Sequence, residues 1–143
     1  MVTDDSSFRQ YYYVTDIAPV IEGAVHHIGS RRFEFGGTDL TNFLAQKLGK
    51  SNPQVNISMS DVDQIKEQYS CCVEDELAYQ KTQYSCPVEK HTLPDGQVIT
   101  IGRERCTIGE ALFQPCLLGL EAHGIVEQLV RAMIGLWWHF FYD

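Results

Sequence analysis

The chain has 143 residues, of which 44% are hydrophobic and 21% are charged, and its formal net charge is −8 at pH 7. A domain of this size typically buries about 70% of the surface that its unfolded chain exposes, so a folded globular protein is expected rather than a disordered one. The negative net charge argues against direct, electrostatically driven binding of nucleic acid, because phosphate contacts need clustered lysine and arginine.

The sequence gives no sign of export or of membrane insertion. Residues 1–10 lack a basic stretch followed by an apolar one, so no secretory signal is expected. The longest apolar stretch, 134–142, is interrupted by a histidine and is far shorter than the roughly 18 residues of a membrane-spanning helix. The five cysteines include the adjacent pair Cys71 and Cys72, which fits reduced thiols better than a disulfide framework. We therefore expect a cytosolic or nuclear protein.

The first 35 residues are predicted to form short strands. The run 11–13 consists of three tyrosines and fits a strand better than an aromatic surface patch. A strand is also predicted over 14–21, with Pro19 at an edge, an end or a bulge, and Glu22 and Gly23 form the turn that follows it. Further strands are predicted over 24–28 and 32–35, the second with its two phenylalanines on one face.

Helical periodicity begins at 36–39, where Thr38 is predicted to cap a helix that ends at Gly49. Its apolar stripe consists of Leu40, Phe43, Leu44 and Leu48. A second helix is predicted to start at Ser60, whose spacing to Asp63 resembles a capping box. Its buried residues are predicted to be Val62, Ile65 and Tyr69. A third helix is predicted over 74–83, with Leu77 and Ala78 facing inward.

A hairpin is predicted in the middle of the second half, where the turn former 93–96 precedes the β-branched run 98–101. A short helix over 110–114 is predicted to stop at Pro115. The leucine- and glycine-rich loop 117–124 either covers the core, which we favour, or forms a contact surface. A final amphipathic helix opens at Gly124, with an apolar stripe of Ile125, Leu129, Val130 and Met133.

Two ordered motifs connect this pattern with a known family. Residues 93–102, LPDGQVITIG, and residues 110–115, EALFQP, closely resemble the actin superfamily at the spacing found there. The stretches 17–20, 36–41 and 65–67 extend the resemblance, although Thr38 stands where conventional actin has arginine. The resemblance implies an α/β chain with a partial actin-like ATPase fold, made of part of the large-lobe sheet and its inserted helical subdomain.

The resemblance also implies a division of the chain. It covers 14–134, where 14–35 and 121–134 resemble subdomain 3 of the family and 36–120 resemble subdomain 4. Residues 1–13 and the aromatic tail 135–143 are unmatched.

Nucleotide chemistry is expected to be lost, although the parent family binds ATP. Actin folds hold phosphates with backbone N–H groups of two glycine-containing loops, and neither loop is recognisable here: residues 8–13, before the first matched strand, contain no aspartate or glycine. By family position, Lys66 and Glu67 would flank the adenine and Gly37 would lie near the ribose. We favour solvated charges on a helix as the explanation for the first two residues, and a helix entrance explains the glycine equally well. We expect no catalytic residue, no bound cofactor and no hydrolysis.

Three segments indicate which group of the actin superfamily the chain resembles. Residues 58–62, 69–79 and 123–131 are most similar to nuclear actin-related proteins of plants. The resemblance implies a nuclear location, with the cytoplasm as a further one. It also implies a non-catalytic scaffold subunit of an ATP-dependent chromatin-remodelling complex, whose partners are protein subunits rather than nucleic acid or membrane. The alternatives are a nucleotide-binding switch and a truncated splice product without independent function, whose last helix lacks a partner and limits solubility.

Metal binding and thiol catalysis are two other chemistries for which the sequence contains candidate residues. The candidate ligands are His26, His27, Cys71, Cys72, Cys86 and His91. Their spacing does not match structural zinc sites, whose paired ligands are separated by two to four residues, so structural roles are favoured and no metal is expected. No pattern assigns a low-pKa environment to any thiol.

Overall fold

The computed structural model describes residues 14–142, with side chains described through His139. Its helices are α1 (Gly37–Ser51), α2 (Met59–Tyr69), α3 (Glu76–Ser85), α4 (Glu104–Ala111) and α5 (Ile125–Tyr142). Its strands are β1 (Thr15–Ile17), β2 (Val20–Ile21), β3 (Ala24–Val25), β4 (Arg31–Phe33), β5 (Glu89–Thr92) and β6 (Val98–Ile101). The described strands pair antiparallel as β1 with β4, β2 with β3 and β5 with β6. The strand predicted at 11–13 lies outside the described residues.

The chain divides into two compact units. One consists of residues up to Thr38 together with those from Ala122 onward, and the other runs from Asp39 to Glu121. The resemblance places the corresponding divisions before residue 36 and after residue 120. Within the described residues, no helix combines the length and the apolar character needed to cross a membrane.

The first unit contains β1 to β4 and α5. The strand predicted over 14–21 is interrupted at Pro19, and the predicted turn is confirmed, with positive φ angles of 51° at Glu22 and 81° at Gly23. The strand predicted over 24–28 is wrong at its end, where His27–Gly29 forms a single 3₁₀ turn. A Cβ at Gly29 would lie 3.1 Å from the carbonyl oxygen of Ala132 in α5. The 3₁₀ turn is therefore one place where α5 packs inside this unit, and β1 is another.

The second unit is built around a buried aliphatic core. The predicted stripe of α1 is confirmed at Leu40, Leu44 and Leu48, while Phe43 is only half-buried. Two predictions about the ends of α1 are wrong: Thr38 lies inside the helix, and the helix continues past Gly49 to Ser51. The remaining buried hydrophobic residues of this unit are Val62, Ile65, Tyr79, Leu93, Ile99, Ile101, Cys106, Ile108 and Ala111.

Helix α2 begins two residues earlier than predicted. Ser58, not Ser60, is its N-cap, and the Ser58 hydroxyl accepts a hydrogen bond from the Asp61 backbone N–H at 3.1 Å. The sequence has two overlapping serine-to-aspartate spacings. The chain uses the first as the cap, and Asp63 of the second accepts a hydrogen bond from Lys66. The predicted burial is confirmed for Val62 and Ile65, whereas Tyr69 is only half-buried.

Helix α3 turns a different face to the core than predicted. Leu77 is 66% exposed and Ala78 is half-buried, whereas Tyr79 is 8% exposed. The Tyr79 ring carries the guanidinium of Arg103 above it at 4.7 Å from the ring centroid. An aromatic side chain that gains this contact buries more area than a leucine, so it takes the inward position.

The hairpin of β5 and β6 is confirmed, and its register pairs Thr92 with Val98. Gly96 has a φ of 87° in the turn, a backbone angle that favours glycine. Asn52 is hydrogen-bonded to β6 through both ends of its side-chain amide. Its oxygen accepts a hydrogen bond from the Thr100 N–H at 2.9 Å, and its nitrogen donates one to the Thr100 carbonyl at 3.0 Å. Asn52 thus satisfies the edge of β6 and ties the hairpin to the end of α1.

Helix α4 corrects the prediction of a helix over 110–114. It spans Glu104–Ala111, and Pro115 begins a 3₁₀ turn, Pro115–Leu118. All six residues from Cys106 to Ala111 are buried, so α4 is surrounded and shows no amphipathic period in the sequence.

Candidate functional site

Two of the three residues predicted at the nucleotide-facing wall line one cleft in the second unit. The cleft has a volume of about 220 Å³. Its lining residues are Leu40, Lys66, Glu67, Ser70, Cys71, Cys72, Ile108, Gly109 and Leu112. Gly37 is the first residue of α1 and belongs to the first unit.

The Lys66 ammonium group is already engaged inside the protein. It donates to an Asp63 carboxylate oxygen at 2.6 Å and to the Thr41 hydroxyl at 2.8 Å, and its side chain is only 13% exposed. The Thr41 hydroxyl donates in turn to the same Asp63 oxygen at 2.9 Å. These three side chains connect α1 with α2, which gives Lys66 a structural role that a solvated lysine would not have.

The electrostatics of this network follow from its geometry. The hydrogen bond from Lys66 lowers the pKa of Asp63 below 3.8, against the opposing effect of burial, and Thr41 and the charge of Lys66 lower it further. Asp63 is therefore a carboxylate at neutral pH and is not a proton donor. Glu67, the neighbour of Lys66, is exposed at the cleft.

The floor of the cleft is formed where the segment after α2 meets α4. A Cβ at Gly109 would collide with the Cys71 carbonyl group, so only glycine permits this backbone approach. The Cys71 N–H also donates to the Arg105 carbonyl at 3.2 Å. No pattern in the sequence points to Gly109, because Cys71, which it contacts in the structure, is far away in the chain.

Thiols lie close together beside the cleft. The sulfur atoms of Cys71 and Cys106 are 3.0 Å apart, and Cys106 is 5% exposed. Burial raises the pKa of the Cys106 thiol, and the neighbouring Cys71 raises it further. In the part of the chain that the structure describes, no group of three or more histidine, cysteine, aspartate or glutamate residues is arranged to hold a metal ion.

A second candidate site is a surface of the final helix. The docked side of α5 is formed by small residues: Ala132 is 1% exposed, and a Cβ at Gly135 would lie 3.1 Å from the Arg31 guanidinium. Of the predicted stripe, Leu129, Val130 and Met133 are exposed, whereas Ile125 is half-buried. We define the apolar face of α5 as Val126, Leu129, Val130, Met133 and Ile134, whose exposed fractions lie between 46% and 60%.

These elements can be compared with known proteins. The actin family model matches residues 57–138, which is more than half of the chain and includes all lining residues of the cleft except Leu40, the hairpin and most of α5. The chain belongs to the actin family.

Relatives within the actin family agree with this assignment. The chain is 71% identical to actin-related protein 7 of Arabidopsis thaliana over 116 residues, which make up 81% of this chain and 32% of that protein. It is 63% identical to actin-related protein 7 of Oryza sativa subsp. indica over 118 residues, or 82% of this chain and 33% of that protein. Actin-related protein 2 of Caenorhabditis briggsae is 40% identical over 124 residues, or 81% of this chain and 30% of that protein. The chain thus spans about a third of the length of these relatives.

The family assignment confirms the expected partial α/β actin-like fold. The family match ends at residue 138, four residues beyond the end of the expected resemblance at 134. In the structure, the same helix α5 continues across both positions to Tyr142.

Proposed function

We propose that the chain is a non-catalytic actin-family segment that binds protein subunits of a nuclear ATP-dependent chromatin-remodelling complex. The observation that carries this proposal is the apolar face of α5, defined above. Scattered exposed hydrophobic residues are common on soluble proteins, but five exposed apolar side chains at helical spacing along one face of α5 form a surface of the kind that marks protein interaction sites.

The surroundings of the face indicate what kind of partner it fits. Its flank carries an ion pair between Arg131 and Glu127 at 3.0 Å, with His123 at 2.9 Å from the same carboxylate group. An apolar centre with a polar rim is the usual anatomy of a protein interface. A helix of this kind fits an apolar groove of a protein partner, whereas the net charge of −8 disfavours nucleic acid.

The nuclear assignment is supported by similarity and not by the geometry of the face. The segments 58–62, 69–79 and 123–131 resemble nuclear actin-related proteins of plants, and two of the relatives above are plant actin-related proteins. A location in the nucleus and membership of a remodelling complex are the inference drawn from this similarity.

The test is retention of partners from plant nuclear extract. A tagged chain is compared with the variant Leu129→Glu/Met133→Glu, which places two charges in the apolar face. The matched control is Leu77→Glu, because Leu77 is a leucine with 66% exposure on another helix. We expect the chain and the control to retain subunits of a remodelling ATPase complex, and the double variant to lose them. Equal retention by all three proteins would contradict the proposal.

Nucleotide binding is the second candidate, because Lys66 and Glu67 line one cleft. Lys66 is held by Asp63 and Thr41, so its charge is already neutralised within the protein. We therefore expect the melting temperature of the chain to be the same with and without Mg-ATP. A rise with nucleotide concentration would show binding to the native state and would favour the nucleotide-switch alternative.

A further inference from the structure

Two cysteines that are distant in sequence meet beside the cleft. Cys71 follows α2 and Cys106 lies in α4, and their sulfur atoms are 3.0 Å apart. Since a disulfide bond is about 2.05 Å long, the two sulfurs need to approach by only about 1 Å.

The backbone around this pair holds the two sulfurs together. The Cys71 N–H donates to the carbonyl group of Arg105, the residue before Cys106, at 3.2 Å. On the other side, the Cys71 carbonyl lies against Gly109, where no side chain fits. The Cys71 segment is therefore fixed on α4 at two points.

The two thiols differ in access to solvent. Cys71 is half-buried and lines the cleft, so a small molecule that enters the cleft reaches its sulfur. Cys106 is 5% exposed and is reached through Cys71. The difference in access favours oxidation of Cys71 first, followed by a reaction between Cys106 and the oxidised Cys71.

We propose that Cys71 and Cys106 are a modification site, at which hydrogen peroxide converts the two thiols into a reversible disulfide. In the first step the Cys71 thiolate attacks one peroxide oxygen and the O–O bond breaks. Hydroxide leaves and takes up a proton to form water, which leaves Cys71 as a sulfenic acid. In the second step the Cys106 sulfur attacks the Cys71 sulfur, the S–O bond breaks, and a second water leaves with the Cys106 proton. The two thiols lose two electrons, and one peroxide is reduced to two waters.

The bond would change the stability of the second unit. It joins the segment after α2 to α4 and closes the chain between residues 71 and 106, which restricts the unfolded state. We therefore expect the oxidised protein to melt several degrees above the reduced protein. Thiol reductants would reverse the shift, as expected for a regulatory disulfide in a reducing compartment.

The test uses the full chain with Cys72→Ser and Cys116→Ser, which removes the two exposed cysteines. The reduced protein is treated with hydrogen peroxide, remaining thiols are alkylated, and tryptic peptides are mapped without reduction. We expect peptides 67–81 and 106–131 to be joined, with a mass lower by two hydrogens than their sum, and peptide 82–90 to carry an alkylated Cys86. The same treatment in guanidinium is the control, in which the unfolded chain gives a mixture of pairings.

Two single substitutions in this background complete the test. Cys86→Ser should retain the joined peptides and the reversible rise in melting temperature, and Cys71→Ser should lose both while circular dichroism shows a folded protein. Cys86 also interacts with Cys106, so a bond from Cys86 is the competing product. The proposal is overturned if the folded chain joins Cys86 instead, forms no bond, or gives the same mixture as the unfolded chain.

Discussion

At the residue scale, the close backbone approach between α4 and the segment after α2 depends on Gly109. Replacing Gly109 by alanine puts a Cβ into the Cys71 carbonyl group, so either α4 or the segment after α2 must shift. We expect Gly109→Ala to destabilise the protein by about 1 to 3 kcal/mol, the usual cost of overpacking a tight site. Urea unfolding followed by circular dichroism measures this change.

The matched control is Gly49→Ala in α1. Gly49 is exposed and has nothing within 4 Å of a Cβ, so alanine gains helix propensity there without a collision. We expect this variant to be more stable by about 0.5 to 1 kcal/mol. If both substitutions stabilise the protein, the contact between Gly109 and Cys71 is not tight in solution.

A second residue-scale prediction concerns Asp63, whose pKa is lowered from 3.8 by the hydrogen bond from Lys66. A carboxyl group with a lower pKa in the folded state stabilises that state above its unfolded pKa, and this stability is lost as pH falls through the folded value. We expect Asp63→Asn to melt below the unmodified chain at pH 6, and the difference to shrink below about pH 4 as the unfolded-state carboxyl becomes protonated. A difference that is constant between pH 6 and pH 2 would contradict this role for the charge.

Some of these residues can be predicted from the sequence, whereas others cannot because their contacts join distant parts of the chain. Lys66 and Glu67 are adjacent on one helix, so the family resemblance that points to one of them also points to the other. The contacts of Cys71 with Cys106 and Gly109 join segments more than thirty residues apart, and no local period or spacing encodes such packing. The network of Lys66 with Thr41 was missed for the same reason.

At the element scale, the start of α2 offers a direct comparison of two serines. Ser58 accepts a hydrogen bond from the Asp61 N–H and donates one to the Asp61 carboxylate at 2.6 Å, while Ser60 lies inside the helix. We expect Ser58→Ala to cost about 1 kcal/mol of folding stability, the usual loss for a cap, and Ser60→Ala to have almost no effect. Thermal unfolding of the two variants measures both losses of stability. A larger loss in Ser60→Ala than in Ser58→Ala would indicate that Ser60 is the cap.

An element can be predicted from the sequence when the residues that determine it are close together in the chain. The hairpin was predicted because 93–96 specifies the turn by itself, through a proline and a glycine with positive φ. Helix α4 was placed too late because it is buried on nearly every side, which removes the period that marks an exposed helix. The inward face of α3 was wrong because the side chain that lies over Tyr79 comes from Arg103, eighteen residues beyond the end of that helix, and no local pattern encodes such a contact.

At the scale of the whole molecule, the exposed apolar face of α5 is the feature on which the proposed function depends. Because Leu129 and Met133 are 47% and 60% exposed, charging them removes little buried area. We expect the variant Leu129→Glu/Met133→Glu to melt within a few degrees of the unmodified chain while its solubility rises. A large fall in melting temperature would mean that the face is packed inside the folded chain.

The measurement that tests the central claim most directly is light scattering on the purified chain after size-exclusion chromatography. If the apolar face of α5 is a protein-binding surface, the chain alone associates into particles heavier than its 16.3 kDa monomer, and Leu77→Glu behaves in the same way. The variant Leu129→Glu/Met133→Glu is then a monomer. An unmodified chain that remains a monomer at the same concentrations, or a double variant that still associates, would contradict the claim.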